Sequence, residues 1–249
     1  MSMLNRLLVV PFVLFVAVAS VAAMADSFDD AMRARRAGDS ARAFNLLRPL
    51  AEKGDPRAQH QLGRMYEYGN VPTKEHRNAK LKKARMWYER SAAQNYGPGK
   101  RELGDFLVVK GIDAMRGYRM LLERAEAGDT RAQAILGYRI ADGVKRNYPQ
   151  RYRVPGTVAD GIAWLHKAVD QKDKTAGSLL RQYHLQYGSV ADRYYWKLVS
   201  DGLFQHRSPM STPPVTDRLS KTQRIDIERR AAAWLTARGV KPVHTIEKQ

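Results

Sequence analysis

Apolar and small side chains recur through most of this sequence at the spacing of amphipathic helices. In the segment 58–69, Ala58, Leu62 and Met65 fall on one helical face, and the segment 84–93 repeats the same period. Two short amphipathic helices joined by a turn cannot bury both apolar faces by themselves. The pattern therefore predicts that similar helix pairs pack on either side of this one.

A second-helix pattern, defined as a small residue with large apolar residues three and four positions later, occurs five times. Eleven positions after each small residue lies a glycine or a polar residue, where the helix is expected to end. The pattern begins at Ala43, Ala84, Gly117, Gly161 and Ala191, and the predicted stops are Gly54, Asn95, Gly128, Lys172 and Gly202.

A first-helix pattern, defined as a small residue with leucine four positions later, alternates with the second-helix pattern. In four repeats it begins 15 residues after the preceding second-helix pattern. Because this spacing is constant while the sequences differ, it indicates a turn of fixed length between repeats. The four starts are Ala58, Gly99, Ala132 and Ala176.

The connection from the first helix of a repeat to its second helix is not constant, with the two starts 15 to 29 residues apart. Insertions in repeat arrays collect in loops on one side, often the binding side. The segment 74–85 has six basic residues and one acid, and the segment 144–158 has four basic residues and no acid. We expect both segments to project from one edge and to contact a partner. The candidate contact residues are Lys74, Arg77, Lys82, Arg85, Arg146, Tyr148, Arg151 and Tyr152.

Residues 1–25 are typical of a cleavable signal peptide. Arg6 precedes an apolar run at 7–19, and Ala23 and Ala25 form a small-x-small cleavage site. The alternative is an uncleaved membrane anchor, but a spanning helix needs about 20 apolar residues and usually lacks such a cleavage site. The chain has no cysteine, so disulfides and cysteine metal sites are excluded. These features predict a soluble periplasmic protein.

The C-terminal part divides into a linker and a helix. Residues 203–219 are polar and contain three prolines, which is typical of a linker. Within 220–249, Ser220 and Gln223 have capping-box spacing ahead of an apolar stripe that includes Trp234. We expect this helix to cap the last repeat of a solenoid spanning 26–202; a separate membrane-surface helix is the weaker alternative, because the apolar stripe is narrow.

The segments 58–69 and 84–93 resemble the SEL-one-like repeat family, a relative of the tetratricopeptide repeats, and the segment 132–137 with Trp164 is similar to a second copy. The resemblance covers residues 28–202. It implies an all-α, right-handed α-solenoid of about five helix pairs that binds other proteins. Some exported bacterial members of this family are immunity proteins that act in the periplasm against lipase effectors of type VI secretion.

The sequence contains no recognisable catalytic constellation. The six histidines form no H-E-x-x-H pair, and there is no G-x-S-x-G motif or phosphate-binding loop. Trp87 and Trp164 occupy core positions of the repeat pattern, where packing is expected rather than ligand stacking. We therefore predict a protein without enzymatic activity, cofactor or metal.

The net charge of +18 bears on the choice of partner. For an exported protein it favours an acidic protein, anionic lipid or anionic polysaccharide over nucleic acid. We expect a periplasmic scaffold that captures an acidic protein, with a lipase effector as one candidate. The alternative is a peripheral envelope protein that binds lipid or polysaccharide or supports envelope assembly. The sequence does not define the oligomeric state.

Overall fold

The computed structural model describes residues 27–205 and 218–243. Every regular element in this part of the chain is helical, which confirms the all-α prediction. None of the helices described is long and apolar enough to cross a membrane. The predicted signal peptide at 1–25 and most of the predicted linker at 203–219 lie outside the described residues.

The chain divides into two compact units, residues 1–103 and 104–249, with the division inside helix α5. The first unit contains α1 to α4 and the beginning of α5. Helix α3 packs extensively against α4, and α2 packs against α3. The helices are α1 (27–36), α2 (Ser40–Glu52), α3 (Pro56–Tyr68), α4 (Arg77–Ala93) and α5 (Gly97–Val109).

In its described residues, the second unit contains the end of α5 and six further helices, together with a short 3-10 turn at Gln150–Tyr152. Helices α7 and α8 form its most extensive pair, and α11 packs on α10. The helices are α6 (Ala114–Glu126), α7 (Thr130–Lys145), α8 (Val158–Asp170), α9 (Lys174–Tyr187), α10 (Val190–Phe204) and α11 (Lys221–Ala237).

The predicted turn of fixed length is present in four repeats. In each, the predicted stop residue adopts the left-handed backbone conformation that ends a helix. Three of the four following helices then begin at an aspartate whose carboxylate accepts backbone N–H bonds. The left-handed residues are Gly54, Asn95, Gly128 and Lys172, with φ of +100°, +60°, +87° and +64°.

The prediction that the fifth second-helix pattern ends at Gly202 is wrong. Helix α10 continues to Phe204, and Gln205 is the left-handed residue, with φ of +56°. A Cβ atom at Gly202 would lie 2.5 Å from Cδ1 of Leu235 on α11. The glycine therefore provides space for a side chain of α11 instead of ending its own helix.

Buried glutamines join the fixed turns to the neighbouring helices. In the second unit, Gln133 donates to the Ala125 carbonyl at 2.9 Å and accepts from Gln171 Nε2 at 2.9 Å. The first unit repeats this network with Gln59, which donates to the Ala51 carbonyl at 3.1 Å and accepts from Gln94 Nε2 at 2.8 Å. Each network ties three consecutive helices together through one turn.

Helices α7 and α8 approach most closely at two glycines. A Cβ atom on Gly137 would lie 2.5 Å from the carbonyl oxygen of Gly161, and one on Gly161 would lie 2.6 Å from that of Gly137. At the corresponding position of α3, a Cβ atom on Gly63 would instead lie 2.5 Å from Cδ1 of the Tyr88 ring. The second-helix residue here is Ala84, which is fully buried.

The prediction that Trp164 occupies the core is only partly right. Trp87 is 6% exposed, but Trp164 is only partly buried at the edge of its cluster. Fully buried Leu165 lies close beside Gly137 and fills the space between α7 and α8. The neighbouring Trp164 indole packs at the rim of the cluster, with Lys167 Nζ 4.9 Å from its ring centroid.

Helix α11 begins with the capping box that the sequence predicts at Ser220 and Gln223. Its apolar face joins the core cluster of the second unit, where the α11 members are Ile227, Ala231 and Leu235. Trp234 is only partly buried against the same cluster. The packing of α11 on α10 covers the apolar face of that helix.

Candidate functional site

The connection between α3 and α4, residues 69–76, and the first turns of α4 together expose several basic side chains. Lys74, Arg77 and Lys82 are exposed and have no carboxylate partner in the described part of the chain. Lys83 pairs with Glu75 at 2.6 Å, and buried Val71 fixes the connection to the core. The fourth predicted contact residue here is less available, since Arg85 Nε pairs with Glu89 at 2.9 Å.

The connection between α7 and α8, residues 146–157, is longer and shaped by its own sequence. It begins with Asn147 in the left-handed conformation, at φ of +49°. Val154 is 2% exposed, so its side chain fixes the middle of the connection to the core. Thr157 and Asp160 form a capping box that starts α8. The connection is therefore held at its middle and at its end.

The buried carboxylate of Asp142 holds the first part of this connection. Asp142 is 4% exposed and accepts a hydrogen bond from Arg146 Nε at 2.8 Å. It also accepts from the hydroxyl of Tyr148 at 3.1 Å and from that of Tyr187, on α9, at 3.2 Å. One side chain of α7 therefore joins its own helix end, the connection and a neighbouring helix.

These bonds change the interpretation of two predicted contact residues. Arg146 is occupied by Asp142 and by Gln186, whose Oε1 accepts from Nη2 at 3.1 Å. Burial and the hydrogen bond to the Asp142 carboxylate raise the pKa of Tyr148, so its hydroxyl remains a donor near neutral pH. These hydrogen bonds of Arg146 and Tyr148 shape the connection, and the role of both residues as partner contacts stays a prediction.

The other two predicted residues of this connection lie where a partner can reach them. Arg151 is exposed, with its guanidinium 4.8 Å from the centroid of the Tyr152 ring. The Tyr152 ring packs over Gly111, which has φ of +61° and no room for a Cβ atom beneath the ring. Because Gly111 has no side chain, the Tyr152 ring can pack directly on the turn between α5 and α6.

The connection forms one wall of an open cleft of about 360 Å³ in the second unit. This volume is within the range of about 300–1,000 Å³ typical of ligand pockets. Val109 at its mouth is 38% exposed. The cleft is lined by Val108, Val109, Arg139, Asp142, Tyr148, Pro149 and Tyr152.

Sequence reasoning missed the wall of the cleft that comes from α5 and α7. Arg139 and Asp142 belong to the first-helix repeat of α7, and Val109 ends α5. The repeat pattern predicts which residues of α7 face the core. It does not predict which polar residues of α7 face the connection that follows. The acidic Asp142 at the end of α7, next to a basic connection, was the available signal.

The described residues contain no cluster of three or more acidic or histidine side chains that could hold a metal ion. The cleft combines apolar and aromatic walls with the guanidinium of Arg139, which suits binding. The prediction that both basic connections lie on one edge relates residues of separate units and stays a prediction.

No family model matches the chain, and a search of curated proteins gives no match. Among solved structures, the chain is similar to a Sel1 repeat protein from Oxalobacter formigenes, with 18% identity and a TM-score of 0.50 over 84% of this chain and 87% of that one. A protective antigen of uropathogenic Escherichia coli with an SLR fold also matches, with 18% identity and a TM-score of 0.39. That match covers 84% of this chain and 53% of the antigen. The chain has the helical-repeat fold of Sel1 repeat proteins, an α-solenoid.

Proposed function

We propose that this protein is a non-enzymatic periplasmic scaffold that captures an acidic protein. One form of this function is that of an immunity protein which neutralises a secreted lipase effector. The observation that carries the proposal is the cleft beside the 146–157 connection, which combines apolar and aromatic walls with the guanidinium of Arg139 and has the exposed Arg151 next to the Tyr152 ring that lines it. The helical-repeat fold supports a role in protein interaction in general.

Charge and apolar contact have separate parts in this proposal. The exposed cations of the two connections speed and orient the approach of an acidic partner. Affinity then comes from large side chains that are removed from water at the centre of the interface. The cleft is the place in the second unit where such side chains find apolar walls.

The test reverses exposed charges and leaves the core unchanged. Lys74, Arg77, Lys82 and Arg151 are changed together to glutamate, and a control reverses Arg36, Arg42, Arg131 and Arg229, which are exposed and lie outside both connections. Partners captured from a periplasmic extract are identified, purified and measured for association rate at low and physiological salt. We expect the first variant to associate at least about tenfold more slowly and with less salt dependence than the control. Equal rates for the two variants would contradict the proposal.

The same variants decide between a protein partner and an anionic surface. Vesicles with and without phosphatidylglycerol are mixed with each variant at both salt concentrations. Adhesion through charge alone is largely lost at physiological salt, whereas a protein complex with an apolar centre persists. Salt-sensitive vesicle binding without a stable protein complex would favour the lipid alternative.

Fractionation of cells and N-terminal sequencing near Asp26 test the periplasmic location.

A further inference from the structure

The cleft is lined by the guanidinium of Arg139, which an ion pair holds in place while one of its amino groups has no partner in the described part of the chain. Arg139 donates to Asp105 through Nε at 2.6 Å and through Nη2 at 3.1 Å. This two-pronged pair fixes the plane of the guanidinium. Nη1 donates to no acceptor in the described part of the chain, and Arg139 lines the cleft.

The guanidinium of Arg139 remains positively charged. Burial acts to lower the pKa of Arg139, but the Asp105 carboxylate raises it above its ordinary value. The Arg139 side chain is 30% exposed, so water and ligands can reach it. A fixed, charged donor beside apolar walls is suited to bind a carboxylate, because arginine matches the planar geometry of that group.

Most of the other residues that line the cleft are apolar or aromatic. They include Val108 and Val109 from α5 and Pro149 and Tyr152 from the connection, and the cleft is large enough for a bulky side chain. Aromatic side chains bury about 150–250 Å² each and contribute strongly to interfaces. The Asp142 carboxylate, which also lines the cleft, already accepts three hydrogen bonds from its neighbours.

We infer that the cleft binds an acidic segment of the partner protein in which a large apolar side chain lies next to a carboxylate. The Nη1 group of Arg139 takes the carboxylate, and Val109 and Tyr152 enclose the apolar side chain. The exposed Arg151 guanidinium, 4.8 Å from the centroid of the Tyr152 ring, adds positive charge beside the cleft and complements such a segment. This inference rests on the proposed function and adds the chemistry of the segment that is recognised.

The probe is a dye-labelled peptide of seven residues with one tryptophan between two glutamates. Two control peptides replace the tryptophan by serine or both glutamates by glutamine. Binding to the full chain is measured by fluorescence anisotropy at low and physiological salt. We expect each control peptide to bind at least about tenfold more weakly than the probe, since each lacks one of the two contacts.

Two variants separate the role of Arg139 in binding from its role in the fold. Asp105→Asn releases the pair but keeps the cation, whereas Asp105→Asn with Arg139→Gln removes the cation and leaves no unpaired carboxylate. We expect the first variant to bind the peptide within about threefold of wild type and the second at least about tenfold more weakly. Arg131→Gln is the charge-matched control, because Arg131 is exposed, lies outside both basic connections and does not line the cleft.

A second pair of variants tests the apolar wall. Val109→Asp places a charge at the mouth of the cleft, and Leu185→Asp places the same charge on α9, where the side chain is 40% exposed outside the cleft. We expect loss of peptide binding in the first variant and retention within about threefold in the second.

The outcomes distinguish this inference from the proposed function. Equal peptide affinities in the two Asp105 variants would overturn the role of Arg139, and equal affinities for the three peptides would overturn the recognised segment. A partner that is still captured through the exposed cations, with no dependence on Arg139 or Val109, would overturn the inference and leave the proposed function in place. Circular dichroism of each variant confirms that the helices are intact before binding is measured.

Discussion

The helix pairs α3–α4 and α7–α8 have the same framework and different connections. Both pairs follow a left-handed turn residue, and both are tied to the preceding helix by a buried glutamine, Gln59 in one and Gln133 in the other. Between α3 and α4 the chain crosses at 69–76, and Lys74 of this connection is exposed, as are Arg77 and Lys82 of α4. Between α7 and α8 the chain crosses at 146–157 and encloses a cleft.

The difference lies in what holds each connection. Glu75 of the first pairs with Lys83, and the two side chains are 28% and 45% exposed. Asp142 holds the second, and its side chain is only 6% exposed. Exposed ion pairs contribute about 0–1 kcal/mol, whereas a buried carboxylate must have its hydrogen bonds satisfied. The framework can therefore stay constant while a single buried acid holds one connection in place as a wall of the cleft.

The equivalent tryptophans give the largest expected difference between the two pairs. Trp87→Ala removes an indole that is 6% exposed and should lower the free energy of unfolding by about 3–5 kcal/mol. Trp164→Ala removes an indole that is only partly buried and should cost about 1–2 kcal/mol. Urea denaturation followed by circular dichroism measures both changes.

The matched variants Trp87→Phe and Trp164→Phe keep an aromatic ring at each position. We expect Phe to recover more of the lost stability at position 87, because that site is more completely enclosed. Equal losses for the two alanine variants would mean that the two pairs pack alike, and the distinction between them would fail.

The repeat framework could be predicted from the sequence because its signals are local. The 15-residue spacing and the stop residues Gly54 and Gly128 identify turns whose backbone conformation depends on few neighbours. Gly202 shows the limit of this reasoning. A glycine eleven positions into a helix pattern indicates either a stop or a close approach, and the decision depends on Leu235, which lies far along the chain.

The candidate site was less predictable because it depends on contacts between elements. Arg151 and Tyr152 could be selected from the composition of the connection, and the structure places both where a partner can reach them. Arg146 was selected by the same rule, yet it is bonded to Asp142. Charge in a sequence does not show whether an arginine meets its partner within the protein. Arg139 was missed for the converse reason, since its pair with Asp105 joins α7 to α5.

The buried glutamines give a second test, in which the two pairs should behave alike. Gln133→Met and Gln59→Met keep the side-chain volume but remove the hydrogen bonds to the Ala125 and Ala51 carbonyls. We expect each to cost about 2 kcal/mol, because a buried polar partner loses its bond. Urea denaturation measures both. A loss in one variant without a loss in the other would show that the two turns are not equivalent.

The smallest expected effect concerns the bond that holds the cleft. Tyr148→Phe removes the hydroxyl that donates to Oδ2 of Asp142 at 3.1 Å, while Arg146 and Tyr187 still donate to Oδ1. We expect a loss of about 1 kcal/mol in the free energy of unfolding, the net contribution of one hydrogen bond. Tyr152→Phe is the control, because its hydroxyl makes no hydrogen bond among the described residues, and it should stay within about 0.5 kcal/mol of wild type.

Glu75→Gln tests the other connection and should also stay within about 0.5 kcal/mol, since its pair with Lys83 is exposed. If Glu75→Gln cost as much as Tyr148→Phe, an exposed pair would hold a connection as firmly as the buried carboxylate does, and the contrast drawn between the two connections would be wrong.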